Sequence, residues 1–423
     1  MTNRFEYLPF KPADILLPQN CDLTLWSVVA CDQYTSRPEY WQRVEDRVGR
    51  APSALRLILP ESCLEGPSVE TDIMEINSNM SRYLREGRFR ELPDSLIYVE
   101  RTLDSGKVRR GLIGAVDLEA YDYEPGAASA IRATEGTVMS RIPPRVAVRK
   151  NAPIELPHVM LLVDDPNRVI IEPLSSRTEE MEKLYDFDLM ERGGHIRGWL
   201  LTEELKAWVL QALNTRKDRV ERDLDGLLFA VGDGNHSLAT AKECYERRKG
   251  MTAPEQWPGL PSRYALCEVV NLHDDSLEFE PIHRVVFGVE PGELLDALMN
   301  FYPSAIRGGG EGHVLPFTIN RWSQGEITIT APTAQLPVGT LQNFLDEYIA
   351  AHPKARVDYI HGADEARQLA EEREDAVAFL LPPMGKEELF PTVIHDGVLP
   401  RKTFSMGEAH DKRFYLEARK IRR

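Results

Sequence analysis

The stretch VGDGNHSLATAKECYE, residues 231–246, places two glycines and several polar side chains between an apolar run and a helical pattern. Glycine permits positive φ angles and a close approach of the backbone to a ligand. A helix that begins at this turn would direct its free amide groups and the positive end of its dipole at one spot. The stretch therefore predicts a site for an anion such as phosphate.

Each residue of this turn has a predicted role. We assign the phosphate contacts to Gly232, Gly234, Asn235 and Ser237. His236 would donate to phosphate oxygens, and Asp233 would act as a base or as a ligand of Mg²⁺. Both are predicted to be catalytic residues. The alternative is a glycine turn in which Asp233 or Asn235 caps an ordinary helix. The sequence contains no GxxxxGK[ST] signature that would decide for phosphate.

Two carboxylates elsewhere in the chain are candidates for the same site. Glu135, in the Thr-flanked turn ATEGT, is a candidate general base, with a solvated glutamate as the alternative. Asp32 follows the apolar run WSVVA and is a candidate metal ligand, with an aspartate that caps a turn as the alternative. Both predictions require the fold to bring these residues to residues 231–246.

Two pairs nearer the C terminus are further candidates for phosphate contacts. His283 and Arg284 precede the apolar run VVF, where a guanidinium can clamp a phosphate, although a lone histidine there is more often structural. Lys402 and Thr403 offer a charge and a hydroxyl, although a loop lysine is usually only solvated. The sequence has no HExxH or GxSxG motif, so zinc protease and serine hydrolase functions have no support.

The elements that must position these residues alternate between strands and helices. The runs LRLILP (55–60), GLLFAV (226–231) and RYALCEVVNLHD (263–274) predict strands. Amphipathic spacing predicts helices over 68–87 and 202–216. An all-apolar run such as LLFAV suits a central strand that is covered on both faces. We expect an α/β protein with mixed sheets.

Changes in pattern predict three regions along the chain. An N-terminal α/β region spans 1–125, a core domain with the GDGNHS loop spans 126–290, and a C-terminal α/β domain spans 291–423. GGGEGH, residues 308–313, has the composition of a linker. The segment KRFYLEARK, residues 412–420, has mixed charge and predicts a surface helix or a last strand.

Composition limits the classes of partner. The 423 residues are 42% hydrophobic and 28% charged, and no run approaches the roughly 18 apolar residues that a membrane helix requires. The five cysteines are scattered, and the start of the chain lacks the layout of a secretory signal, so we expect a cytoplasmic protein with reduced thiols and no membrane partner. A formal net charge of −16 repels polyanions, so we expect a small-molecule ligand and no nucleic acid.

The turn at 231–246 resembles the strand, DGHHR, helix signature of the ParB and sulfiredoxin-like superfamily. It more closely resembles the DGHHRYETA motif of the domain of unknown function family 1015. Further matches to that family follow in the family's order: YLPFKPADILLP, WSVVACDQYTSRPEYW, ATEGT, RKNAPIELPHVMLLVDD, GGHIRGWLL, EPIHRVV and LPRKTFSMG. The chain is therefore identified as a member of a divergent branch of this family.

The resemblance implies a ParB/sulfiredoxin-like core with additional α/β regions and a loop that binds nucleotide phosphates. It also implies transfer of phosphate, with Mg²⁺, to a small hydroxylated metabolite such as serine, because the superfamily includes a free serine kinase with such a loop. Nucleotide-responsive binding without turnover is the alternative, because the superfamily also includes nucleotide-gated clamps. In this chain Ser237 stands where the loop of the family has arginine, which removes a bidentate phosphate contact.

Overall fold

The computed structural model describes residues 7–64, 66–137, 139–320 and 323–422. Contacts divide the chain into two compact units: the first comprises Met1–Leu277 with Glu408–Arg423, and the second comprises Glu278–Gly407. Within the described ranges, no helix combines the length and the apolar character that crossing a bilayer requires.

The strands and helices follow in chain order. The strands of the first unit before residue 278 are β1 (Phe10–Lys11), β2 (Ala13–Pro18), β3 (Val28–Val29), β4 (Phe89–Ser95), β5 (Ile97–Thr102), β6 (Val108–Asp117), β7 (Tyr121–Asp122), β8 (Ile131–Arg132), β9 (Ile154–Glu155), β10 (Met160–Val163), β11 (Glu182–Asp188), β12 (His195–Leu200), β13 (Phe229–Asp233) and β14 (Tyr264–Asn271). The strands of the second unit are β15 (Phe279–Phe287), β16 (Ala305–Arg307), β17 (His313–Asn320), β18 (Ser323–Ile329), β19 (Arg356–His361), β20 (Ala376–Phe379) and β21 (Phe404–Met406), and the chain ends with β22 (Phe414–Tyr415) and β23 (Arg419–Lys420) in the first unit. The helices are α1 (Leu23–Trp26), α2 (Pro38–Val48), α3 (Val69–Arg85), α4 (Ile142–Arg149), α5 (Glu203–Asp223), α6 (Asn235–Lys249), α7 (Pro291–Phe301), α8 (Pro337–Ala351), α9 (Ala363–Glu371) and α10 (Leu389–Asp396).

A large mixed sheet organises the first unit. Among the described residues it has ten strands, in the order β11, β12, β5, β6, β14, β10, β13, β8 and β7, with β1 paired to β6. β10 runs parallel to β14 and antiparallel to β13. Because β6 pairs with β14, the predicted regions 1–125 and 126–290 contribute to one sheet and one unit. The predicted α/β class with mixed sheets is confirmed.

Local patterns predict several of these elements correctly. Phe229, Ala230 and Val231 are fully buried in β13, as expected for a central strand. The helices predicted over 68–87 and 202–216 form as α3 and α5, and the Thr202 hydroxyl caps α5 by accepting from the Leu205 amide.

The strand predicted over LRLILP is wrong, because this segment begins with a short 3₁₀ turn, Ala54–Leu57. The Ser53 hydroxyl accepts a hydrogen bond from the Leu55 amide at 3.1 Å and thereby caps the turn.

The last residues of the chain are part of the interior of the first unit. β22 pairs with β3, and β23 pairs with β9. Phe414, Tyr415 and Leu416 are buried. The predicted surface helix over 412–420 is therefore wrong, and the predicted last strand is present as two short strands.

The second unit has its own sheet. Within the part of the chain that the structure describes, this sheet has seven strands, in the order β16, β18, β17, β20, β15 and β19, with β21 paired to β15. The hairpin predicted from VLPFTIN and GEITITAP forms as β17 and β18. GGGEGH connects β16 to β17 inside this unit.

Candidate functional site

The predicted anion-binding turn joins β13 to α6. Gly234 immediately precedes α6 and has a left-handed φ of 85°. A Cβ atom at Gly234 would lie 3.1 Å from the Cα atom of Val159, and one at Gly232 would lie 2.8 Å from Cγ of Leu162. The turn therefore depends on glycine at both positions, at Gly234 for backbone conformation and at Gly232 for space.

No side chain of the described residues caps the start of α6. Asn235 is buried, and its Oδ1 accepts from the Thr134 amide at 3.1 Å while its Nδ2 donates to Thr134 Oγ1 at 3.3 Å. The alternative in which Asp233 or Asn235 caps this helix is therefore wrong. The amides of the first turn of a helix have no partners within the helix, so the backbone here remains suited to an anion.

The start of α6 opens on a cavity of about 380 Å³ within the first unit. Most of the predicted site residues line it: Asp32, Glu135, Asp233, Gly234, Asn235, His236 and Ser237. Asp32 and Asp233, which are 201 positions apart in the sequence, thus meet at one cavity. Gly232 precedes Asp233 on β13, and because it has no side chain, β13 can pack closely on Leu162.

Two arginines that the sequence analysis missed also line this cavity. Arg141 precedes α4, and Arg145 follows one turn later, so both lie on the same side of the helix. Nη2 of Arg145 lies 2.8 Å from Oε1 of Glu61, and its Nη1 donates to the Arg141 carbonyl at 2.9 Å. The i, i+4 spacing in SRIPPRVAVRK was the signal that could have found them.

Burial and the two arginines together change the protonation of the neighbouring His236. Burial, together with the positive charges of Arg145 and Arg141, lowers the pKa of His236 below its ordinary value. Its ring is therefore neutral at pH 7, and one of its nitrogens can accept a proton.

Carboxylates supply the acidic part of the cavity. Burial raises the pKa of Asp32, but His158, a hydrogen bond from Gln33 and the charge of Lys412 outweigh burial and hold the pKa below its ordinary value. Oδ2 of Asp233 is buried and accepts no hydrogen bond from the described residues, and Oδ1 lies 3.8 Å from Nζ of Lys412. Because buried carboxylate oxygens are normally paired, Oδ2 of Asp233 is suited to bind a ligand or an ion.

His158 is a second group that the sequence analysis missed. It is buried, lines the cavity, and lies just before β10. Its Nε2 lies 3.3 Å from Oγ of Ser237 and 3.8 Å from Oδ1 of Asp32, and its Nδ1 lies 3.0 Å from Oη of Tyr415. The histidine that begins the run HVMLLV was the available signal.

The remaining predicted contacts belong to the second unit. Arg284 is fully buried and donates to the carbonyls of Ile282, Arg401 and Lys402 and to Oε1 of Gln342. His283 accepts from the Leu381 amide at 3.1 Å, and Thr403 Oγ1 donates to the Pro400 carbonyl at 2.6 Å. Nζ of Lys402 lies 5.1 Å from the centre of the Tyr359 ring. These bonds organise the second unit, and the phosphate role of the four residues stays a prediction.

Gly234→Ala is expected to destabilise the protein by about 1–2 kcal/mol through its left-handed φ alone, with a further loss from the contact at Val159. Gly106→Ala is a matched control, because Gly106 has a φ of 83° and open space around its Cβ position. Urea denaturation should show a loss of stability for both variants, and only Gly234→Ala should weaken binding of pyrophosphate in calorimetry. Equal binding by both variants would exclude the start of α6 as the anion site.

The motifs agree with a comparison of the sequence with known families. The sequence model of the family described as "Protein of unknown function (DUF1015)" matches residues 9–377. The chain belongs to this family. Although the turn of this DUF1015 member has no arginine, Arg141 and Arg145 line the same cavity from the α4 segment.

Three solved structures are similar to this DUF1015 member, each at low sequence identity. A free serine kinase variant in complex with AMP has 11% identity and a TM-score of 0.40, with 74% of this chain and 93% of the kinase covered. A conserved hypothetical protein from Pyrococcus furiosus has 12% identity and a TM-score of 0.35, with coverage of 71% and 90%. SbnI from Staphylococcus aureus, truncated at its C terminus, has 11% identity and a TM-score of 0.35, with coverage of 70% and 83%. A search of curated proteins finds no match.

Proposed function

We propose that the cavity at the start of α6 binds a phosphorylated small molecule, with a nucleotide as the leading candidate, and transfers phosphate to a small hydroxylated metabolite. The observation that carries the proposal is the positive part of the cavity, where an uncapped helix start meets Arg141 and Arg145. Backbone amides at a helix start and guanidinium groups both bind phosphate oxygens. Small-molecule sites typically measure about 300–1,000 Å³, and this cavity is within that range.

A second cavity supports a ligand that has more than phosphate groups. It measures about 160 Å³, close to the roughly 150 Å³ that holds a benzene ring. It shares with the first cavity Cys31, Glu61, Arg145, His158 and Ser237. The rest of its lining is mainly apolar and includes Leu57, Met80 and Leu238. Because the two cavities share these residues, a molecule that joins phosphate to an aromatic ring, as a nucleotide does, is a candidate to occupy both.

The carboxylates of the cavity supply the chemistry for transfer. An acceptor hydroxyl must lose its proton to a base within hydrogen-bond reach. Oδ2 of Asp233 has no hydrogen-bond partner among the described residues and can accept that proton. Glu135 lines the same cavity and is the second candidate for this role.

A magnesium ion fits the cavity if the ligand supplies most of its coordination. The described residues contain no cluster of three His, Cys, Asp or Glu side chains arranged to hold a metal. Mg²⁺ in nucleotide sites needs only one or two carboxylates, because phosphates and water fill the other positions. Asp233 is the better ligand, since Asp32 already faces His158 and accepts a hydrogen bond from Gln33. When bound, the ion would neutralise charge on the phosphate oxygens.

Arg145→Gln is expected to weaken binding of ADP by about 10- to 150-fold, because a hydrogen bond to a charged group contributes about 1.5–3 kcal/mol. Isothermal titration calorimetry with ADP, ATP and pyrophosphate measures the change. Arg222→Gln, at an exposed position on α5, removes the same charge away from the cavity and should leave the affinity unchanged. An equal loss in both variants would show that only net charge matters, and the proposed site would be wrong.

Transfer is tested separately from binding. Purified protein is incubated with ATP or ADP, Mg²⁺ and hydroxylated acceptors, beginning with serine, and the products are separated by mass. Phosphorylation of an acceptor supports the kinase-like function. Nucleotide binding without transfer to any acceptor would instead leave a binding protein without turnover.

A further inference from the structure

Ser237, His158 and Tyr415 form a continuous row of hydrogen bonds at the edge of the cavity. Ser237 is in the first turn of α6, and its Oγ lies 3.3 Å from Nε2 of His158. Nδ1 of His158 lies 3.0 Å from Oη of Tyr415, which is buried beneath it. The half-exposed hydroxyl of Ser237 thus faces the imidazole of His158, and Tyr415 holds that imidazole in place. A hydroxyl, a base and a group that orients the base are the arrangement of an activated nucleophile.

The hydrogen bonds around Tyr415 define which nitrogen of His158 has a proton. Oη of Tyr415 accepts from the Cys31 amide at 3.2 Å and donates its one proton to Sγ of Cys31 at 3.1 Å. Its remaining lone pair can only accept, so Nδ1 of His158 is the donor in that bond. Nε2 therefore has a free lone pair and faces the hydroxyl of Ser237.

The surroundings favour both charges that would form when Ser237 attacks a phosphorus atom. Asp32 Oδ1 lies 3.8 Å from Nε2 of His158 and stabilises the imidazolium that results from proton transfer. The start of α6 and the nearby Arg145 favour the phosphoryl group, because a phosphoserine is stabilised at a helix N terminus and beside arginine.

We propose that Ser237 is a nucleophile that accepts a phosphoryl group from the bound ligand, with His158 as its catalytic base. The inference rests on the proposed function, with a phosphoanhydride such as a nucleoside diphosphate or triphosphate as the donor. A bond forms between Oγ of Ser237 and the terminal phosphorus, and the bond from that phosphorus to the bridging oxygen breaks. The electron pair of the broken bond stays on the leaving phosphate oxygen, and the Ser237 proton goes to Nε2 of His158.

A fluorophosphonate carrying a fluorescent reporter tests this chemistry without knowledge of the natural ligand. The probe forms a bond between phosphorus and an activated serine oxygen, fluoride leaves with the electron pair, and the base receives the proton. Peptide mass spectrometry should locate the label on Ser237, and Ser237→Ala should stay unlabelled. His158→Asn should react at least about 100-fold more slowly, the lower limit for loss of a general base.

Control variants separate the base from a general effect on folding. His273→Asn removes a histidine that pairs with Asp164 and should be labelled at the rate of the unchanged protein. Tyr415→Phe keeps the ring but removes the group that orients His158, so labelling should slow while thermal unfolding shows a folded protein. This variant keeps the test decisive if His158→Asn does not fold.

Binding of ADP distinguishes failure of this inference from failure of the proposed function. If ADP binds but Ser237 stays unlabelled, or if the label forms equally fast in His158→Asn, the assignment of Ser237 and His158 is wrong. The proposed nucleotide site is then still supported. If Ser237 is labelled with the expected dependence on His158 but no nucleotide or pyrophosphate binds, the proposed function is wrong. The assignment of Ser237 as an activated nucleophile is then still supported. Labelling together with a phosphoryl group on Ser237 after incubation with ATP supports both.

Discussion

Arg413→Met is expected to lower the free energy of unfolding by about 3–5 kcal/mol, the usual effect of removing one partner from a buried ion pair. Arg413 is buried and donates to Oε2 of Glu268 at 2.8 Å and to Oε2 of Glu417 at 2.7 Å. Both glutamates are buried as well. Methionine would fill the space but leave two carboxylates without their cation. Urea denaturation at pH 7 measures the change.

Two variants test the physical reason for this loss. Arg247→Met removes an exposed arginine that pairs with Glu243 on the same helix, and it should cost no more than about 0.5 kcal/mol. Adding Glu268→Gln and Glu417→Gln to Arg413→Met should recover part of the loss, because the uncompensated charges are then gone. A loss that is unchanged in this triple variant would indicate packing rather than charge as its origin.

The buried position of Arg413 shows which part of the fold the sequence does not predict. Periodicity is a local property, so the central strand β13 and the helices α3 and α5 could be predicted from short windows. The C-terminal segment owes its structure to distant partners: Arg413 pairs with Glu268, 145 positions away, and Arg419 pairs with Glu155, 264 positions away. Considered alone, the mixed charge of this C-terminal segment is as typical of an exposed surface segment as of a buried one.

The residues of the candidate site also fall into those that local sequence patterns predict and those that depend on distant parts of the chain. The turn at 232–237 could be predicted because its glycines and polar residues are consecutive. Asp32 and Glu135 could be predicted from local patterns, the end of an apolar run and a Thr-flanked turn. Arg145 and His158 were missed because no local catalytic or binding signature marks either residue, and their relevance depends on where α4 and β10 pack. Chemistry that is distributed over several elements becomes visible only when the sheet places those elements together.

Asp233→Asn is expected to slow phosphoryl transfer by about 10²- to 10⁴-fold, the range for loss of a general base, while it strengthens anion binding. The variant keeps the shape of the side chain but removes the charge on the buried Oδ2. Without that charge, the cavity repels phosphate less, and Lys412, 3.8 Å from Oδ1, becomes more available to the ligand. Transfer from labelled ATP to the acceptor and calorimetry with ADP measure the two effects.

The dependence on magnesium separates the two roles predicted for Asp233. If its carboxylate holds Mg²⁺, addition of the ion improves ADP affinity in the unchanged protein but not in Asp233→Asn. If the carboxylate is the base, the ion improves affinity equally in both, and only transfer is lost. Asp46→Asn, at an exposed position of α2, should change neither quantity. Transfer at the normal rate in Asp233→Asn would contradict both roles and favour Glu135, the second candidate for the base, which lines the same cavity.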